Sequence, residues 1–105
     1  MPLDHALRDA LSAIDQALAE KPEGDGALFS AAALHLSAAR DAIATDQRAH
    51  GATPDSRRRL EHVNAVISIV LACRFPLGAI PWDELEKGRA WLNDLADSCK
   101  EAPMP

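Results

Sequence analysis

Thr53-Pro54-Asp55-Ser56-Arg57-Arg58-Arg59-Leu60-Glu61-His62-Val63-Asn64-Ala65-Val66-Ile67-Ser68-Ile69-Val70-Leu71-Ala72-Cys73-Arg74 is the most apolar stretch of the chain, and the place where two folds compete. Its valines and isoleucines suit a buried strand as well as a buried helix. The helical spacing of Leu60, Val63, Ile67 and Val70, together with the length of the run between its end signals, decides for a helix over 54–74. Those signals are specific. Thr53 serves as N-cap, Pro54 takes the first helical position, where a missing N–H costs nothing, and Asp55 meets the positive end of the helix dipole. Leu60, Val63, Val66, Ile67, Ile69, Val70, Leu71 and Cys73 spread over roughly 200° of the circumference. Glu61, Asn64 and Ser68, with Ala65 and Ala72, leave only a narrow strip for water.

Helical periods continue on both sides. Toward the N-terminus, Gly51 closes a helix over 26–50 as a left-handed residue, and that helix carries the stripe Leu28, Phe29, Ala32, Leu36, Ala39 and Ile43. Glu23-Gly24-Asp25-Gly26 makes the preceding turn, with Asp25 as its cap. The first helix, over 3–20, has Leu3, Leu7, Leu11, Ile14 and Leu18 within an arc of about 80°, with Ala10 and Ala17 on its flank. It stops at Lys21-Pro22, because a residue before proline is pushed out of the helical region. On the C-terminal side, Phe75-Pro76-Leu77-Gly78-Ala79-Ile80 is a connection and Pro81 opens a fourth helix over 81–100. Its stripe is Trp82, Leu85, Leu92, Ala96 and Cys99, edged by Trp91 and Leu95, and residues 101–105 form a frayed tail. Short connections between long helices imply antiparallel neighbours, so the expected architecture is an all-α, up-down-up-down four-helix bundle in one domain spanning 1–105.

Composition agrees with that class. The 105 residues include two Trp, two Phe and no Tyr, and alanine is the commonest residue, a pattern that favours closely packed helices over sheets. With 11 Lys+Arg against 16 Asp+Glu the formal charge is −5, which disfavours non-specific binding to nucleic acid or an anionic membrane. No apolar run reaches the ~18 residues of a membrane span. Met1-Pro2-Leu3-Asp4-His5 lacks the basic-then-apolar order of an export signal, so a cytoplasmic location is expected.

Helix direction in such a bundle gathers His5, Arg48, His50, Arg57, Arg58, Arg59, His62, Asp97, Cys99 and Lys100 near one pole. The other pole collects Glu20, Lys21, Glu23, Asp25, Arg74, Asp83 and Glu84, and is mostly acidic. Three arginines at a helix start oppose the dipole, which marks Arg57–Arg59, with Arg48, as a candidate contact for a phosphate or an acidic protein. Cys73 and Cys99 fall at opposite ends of their helices, roughly 25 Å apart, beyond disulfide reach, and each reads as a small apolar residue in a reducing compartment. The histidines show no metal-ligand spacing, and neither metal nor cofactor is expected. His35 borders the stripe of the second helix as a half-buried packing residue.

Two local patterns resemble known families. Leu34-His35-Leu36-Ser37-Ala38-Ala39-Arg40 resembles the phosphoacceptor helix of histidine phosphotransfer domains, which implies phosphotransfer on His35. That family's lysine and glycine positions are Ala38 and Ala39 here. Arg57-Arg58-Arg59-Leu60-Glu61-His62 resembles the Arg-x4-6-His element of HEPN ribonucleases. That resemblance implies His62 as general base on a 2′-hydroxyl, with Arg57 stabilising charge on the phosphorus centre.

The leading expectation is nevertheless non-catalytic. A core-facing helix buries about three-sevenths of its positions, and the third helix carries more apolar surface than that. The surplus, Val66, Ile69 and Cys73 bordered by His62, is the expected contact for a protein partner or a second copy, alongside the basic pole. No small-molecule ligand is expected.

Overall fold

A computed structural model of the chain describes residues 2–21 and 26–101, the side chains of Pro2 and of residues 98–101 excepted. Four helices make up the fold: α1 (Pro2–Ala19), α2 (Gly26–His50), α3 (Pro54–Arg74) and α4 (Trp82–Glu101). Among the described residues there is no strand. The expected turn over 22–25, with its Asp25 cap, and the tail beyond Glu101 lie outside the described residues.

The chemistry at the ends of α3 explains where it begins and stops. Thr53 is extended (φ −108°, ψ 163°), and its hydroxyl accepts the Ser56 N–H at 3.0 Å. Ser56 closes the reciprocal half of a capping box, its Oγ accepting the Thr53 N–H at 2.8 Å and donating to the Thr53 carbonyl at 3.0 Å. Gln47 of α2 donates to the same Oγ at 3.1 Å, which ties the end of one helix to the start of the next. A cap of this kind stabilises a helix by about 1 kcal/mol. Between the two helices, Gly51 takes the left-handed conformation (φ 85°), and its N–H reaches the Gln47 carbonyl at 2.8 Å.

The fourth helix starts one residue later than expected. Pro81 is its cap and not its first residue, because the Pro81 carbonyl already accepts the Leu85 N–H at 3.1 Å. The first helix ends at Ala19, and the Glu20 and Lys21 N–H groups close it in a tighter turn, reaching the carbonyls three residues back, Ala17 and Leu18, at 3.1 and 3.5 Å.

Each helix packs on two neighbours, α1 and α3 both against α2 and α4, so four helices ring one core. The molecule measures 44 × 22 × 19 Å, the proportions of helices lying side by side. Leu7, Ile14, Phe29, Leu36, Leu85 and Leu92 are its largest fully buried residues. Alanine fills much of the rest: Ala6, Ala10, Ala13, Ala17, Ala32, Ala39 and Ala96 are all buried, so the core arc of α1 is wider than its leucine stripe alone. Small side chains let helix axes approach closely, which is how a core with few aromatic rings still closes. Ser56 is the one buried polar residue described, and among the described residues no buried side-chain polar atom lacks a partner.

The surplus apolar arc of α3 finds its use inside the bundle. Val66 is 0 % exposed and Cys73 2 %, both in the core, while Ile69 is half-buried and packed against it. The expectation that Val66, Ile69 and Cys73 form an outward contact surface is therefore corrected. The cause is Gly88, a buried glycine of α4: a Cβ built there would lie 3.2 Å from Val66 Cγ1 and 3.6 Å from Ile69 Cδ1. With no side chain at Gly88, α4 presents bare backbone, and the branched side chains of α3 fill the space. Leu71 belongs to the same apolar arc, yet it lies on the water side at 43 % exposure.

Ion pairs decorate the outside of the α1–α4 seam. Arg89 bonds Asp15, and Lys21 Nζ meets Glu86 at 2.7 Å. The Lys21 hydrogen bond and charge hold the Glu86 carboxyl below its ordinary range. Both pairs are exposed, and such pairs add little stability.

Candidate functional site

Two surface features stand out, at opposite ends of α3. The first is a groove between α3 and α4 of about 260 Å³. From α3 come Asp55, Arg58, Arg59 and His62; from α4 come Trp91, Asp94 and Leu95. The helix period explains the α3 set. Arg58 and Arg59 precede His62 by four and three residues and share its face, whereas Arg57, five residues before it, points about 140° away. The sequence-expected pairing of Arg57 with His62 is therefore corrected: the residues brought together are His62, Arg58 and Arg59.

His62 lies flat on Trp91, with ring centroids 5.5 Å apart and planes 12° from parallel. This offset stack fixes both rings, and Trp91 keeps 37 % of its surface open. Leu95, nearly buried, lies beneath. Arg58 approaches Asp55 only to 3.9 Å, beyond hydrogen-bond length, and both side chains are mostly exposed. Arg48 is exposed on α2, where it donates to the Thr45 hydroxyl at 3.3 Å. The exposed His50 lies 3.0 Å from Asp46. Lys100 and Cys99, placed at this pole by sequence, have side chains outside the described residues.

The second feature is apolar. Among the described residues, the exposed large apolar side chains include Leu34 (70 %), Leu71 (43 %), Phe75 (65 %) and the fully exposed Leu77. Phe75 caps α3, its N–H bonded to the Leu71 carbonyl at 2.9 Å, so the two residues follow one another along one line. Phe75 and Leu77 share a shallow depression with Ala72, Pro76, Gly78 and Ala79. Arg74 joins this end to α2, donating to the Ser30 hydroxyl at 3.0 Å while its guanidinium lies over Phe75 at 4.8 Å from the ring centre. Leu34 is one turn beyond Ser30 on the same face of α2, so it flanks the same seam.

The remaining sequence candidates are accounted for individually. His35 is half-buried, as expected, beside Asp9, Ser12, Gln16 and Leu28. No cation lines that depression among the described residues, and Arg40 is paired with Asp41 at 3.8 Å. Trp82 closes the core edge against Phe29 at 6.0 Å, with Lys21 Nζ 5.8 Å from its ring centre. No group of three or more His, Cys, Asp or Glu is placed to hold a metal ion among the described residues. No helix among the described residues is long and apolar enough to cross a membrane.

Burial pushes the Cys73 thiol from 9.0 up to about 11. At pH 8 its thiolate fraction is about a hundredfold below that of an ordinary thiol, and alkylation should slow at least that much. In a Cys99→Ser background, alkylation of the folded chain as fast as after urea unfolding would sink the buried placement. The sign for stability follows from the raised value. Below pH 9 both states keep the proton. Between about pH 9 and 11 the unfolded thiol ionises first, and the fold loses stability.

The class these observations define is an all-α bundle of four helices with a charged groove at one end of α3 and an apolar surface at the other. No family model, no curated protein and no solved structure matches the chain.

Proposed function

We propose that this chain is a small, non-catalytic cytoplasmic interaction protein that binds a protein partner, or a second copy of itself, through the apolar end of α3. The observation that carries the reading is the exposure of Leu71, Phe75 and Leu77 over the last turn of α3 and the connection after it, with Leu34 exposed on α2. Scattered single apolar residues are normal on a surface; a cluster of large ones marks a contact. Burying four such side chains is favourable by several kcal/mol, at about 25 cal/mol per Å². The reducing location rests on Cys73, a free thiol.

This reading keeps the expected helix and changes the residues on it. Val66 and Cys73 belong to the core, so the contact falls on the turn that ends α3 and on the connection after it. Catalysis has less support, because Arg57 is turned away from His62 and, among the described residues, no cation lines the depression at His35.

Light scattering across a hundredfold dilution tests the reading. A dimer near 23 kDa (twice 11.3) that both Leu71→Glu and Phe75→Glu split would support self-association. Because the two side chains are exposed, neither variant should change stability by more than ~0.5 kcal/mol. Ile69 does not serve as a probe position, because it is half-buried against the core and a charge there would destabilise the bundle with or without a partner. A monomer at every concentration would leave only a different protein as partner. Photo-cross-linking from position 77 against position 97 would then decide, and equal labelling from both would overturn the assignment.

A further inference from the structure

Opposite charges on the two edges of the apolar end of α3 select its occupant. We propose that a second copy of this chain covers it, related by a two-fold axis that sets Arg74 of each copy against Asp83 of the other. Such a pairing rests on that end being a contact surface, as proposed for Leu71, Phe75 and Leu77.

The order of the helices lays out the two edges. α3 packs on both α2 and α4, so it lies between them in the ring. Arg74, its last residue, turns toward α2, donating to the Ser30 hydroxyl at 3.0 Å, with its guanidinium 4.8 Å from the Phe75 ring centre. Asp83 stands on the other side, in the first turn of α4, and lines a depression with Ile80 and Pro81. Pro81 also lines the depression of Phe75 and Leu77, so the two surfaces adjoin. Residues 74–79 are all exposed, and from Phe75 to Trp82 no residue carries a charge. An uncharged surface thus has a cation at its α2 edge and a carboxylate at its α4 edge.

Both charges are open to a partner. Arg74 and Asp83 are exposed, and neither forms an ion pair among the described residues. Glu84, the neighbouring acid, lies 3.7 Å from Lys87, which leaves Asp83 for the second copy. A partner of one sign would meet a like charge at one edge. A two-fold axis near Gly78, midway between Arg74 and Asp83 in sequence, turns each edge onto its opposite, so one surface supplies both halves of the contact. Nothing on the chain blocks approach there, since a Cβ at Gly78 would meet no atom within 4 Å. One helix turn and one connection make a small contact, so the dimer is reversible on dilution.

The experiment is light scattering of the full chain across a hundredfold dilution. It is run in ~0.15 M salt, where the −5 carried by each copy is screened beyond ~8 Å. Arg74→Glu and Asp83→Lys should each weaken self-association at least tenfold, because each sets two like-charge pairs across the axis. An equimolar mixture of the two variants should associate within threefold of the parent, and so should the chain carrying both. In the mixed dimer one edge pairs Glu with Lys and the other keeps Arg with Asp. Mixing cannot repair a misfolded chain, so this rescue separates contact from fold. A second measurement needs neither charge variant: in a Cys99→Ser background, Gly78→Cys should cross-link to its own counterpart at least tenfold faster than Arg58→Cys, at the other end of α3. A monomer at every concentration, unchanged association in either single variant, no rescue on mixing, or equal cross-linking from positions 78 and 58 would each overturn the two-fold pairing. The contact surface itself is tested separately: a dimer split by Leu71→Glu but indifferent to both charge variants would keep the apolar contact and discard Arg74 and Asp83.

Discussion

Phe29→Ala lowers the free energy of unfolding by about 4 kcal/mol, the expected result of removing a ring from a closed core. Phe29 is 2 % exposed, and its ring lies 6.0 Å from Trp82, tilted by 48°. Two losses add: the transfer of the ring from water, and the cavity left behind, because Ala32 and Leu36 on the same face of α2 cannot move in to fill it. Domains of this size are stable by only ~5–15 kcal/mol, so the variant gives up a large share. The midpoint of thermal unfolding should fall by roughly 15–30 °C. Trp82 reports the change directly, since its emission depends on the neighbour that is removed. Leu34→Ala is the control: it deletes an apolar side chain from the same helix at 70 % exposure and should cost under ~0.5 kcal/mol. A loss below about 1 kcal/mol in Phe29→Ala would mean that the core between Phe29 and Trp82 is not closed.

The second large effect concerns Gly88. Replacing it with leucine destabilises the bundle by about 1–3 kcal/mol or more, although glycine inside a helix is itself unfavourable by ~1 kcal/mol against alanine. Space decides the sign. A single Cβ would already stand 3.2 Å from Val66 Cγ1, and the atoms beyond it would push α4 off α3. Gly88→Ala is finely balanced, because the gain in helix propensity offsets the tight contact. Combining it with Val66→Ala removes the clash, so the two substitutions should be more favourable together than their sum by about 1 kcal/mol in a double-mutant cycle. Urea unfolding of the four species measures this. Additivity within ~0.5 kcal/mol would show that Val66 does not lie against Gly88.

These two positions also separate what periodicity reveals from what it hides. Phe29 is legible from the sequence: it sits on a stripe with Ala32, Leu36, Ala39 and Ile43, and every one of these is buried. Gly88 is not legible. It falls between the apolar positions Leu85 and Leu92, and nothing in a linear pattern says that a missing side chain, rather than a large one, closes the seam. One signal was present, since a glycine inside a strong helical period costs stability and so has a packing reason. The groove was half legible. The basic run and the histidine were read from the sequence, but the pairing within it was not, because the stack on Trp91 depends on a residue in another helix.

The sequence by itself determined the four helices and, to within a residue, the ends of those described. Caps, left-handed glycine and proline act through sterics and hydrogen bonds within a few residues, so Thr53, Pro54 and Gly51 set their boundaries regardless of what packs nearby. Only the tertiary structure decided which part of α3 faces inward. An apolar arc wider than half the circumference has no single inward direction, and the neighbour choosing it is bare backbone at Gly88. That choice turns Val66 and Cys73 into core, leaves Leu71 and Phe75 in water, and sets His62 on Trp91 with Arg58 and Arg59 beside it. Burial depends on what arrives from the rest of the chain, and a local pattern carries no information about that.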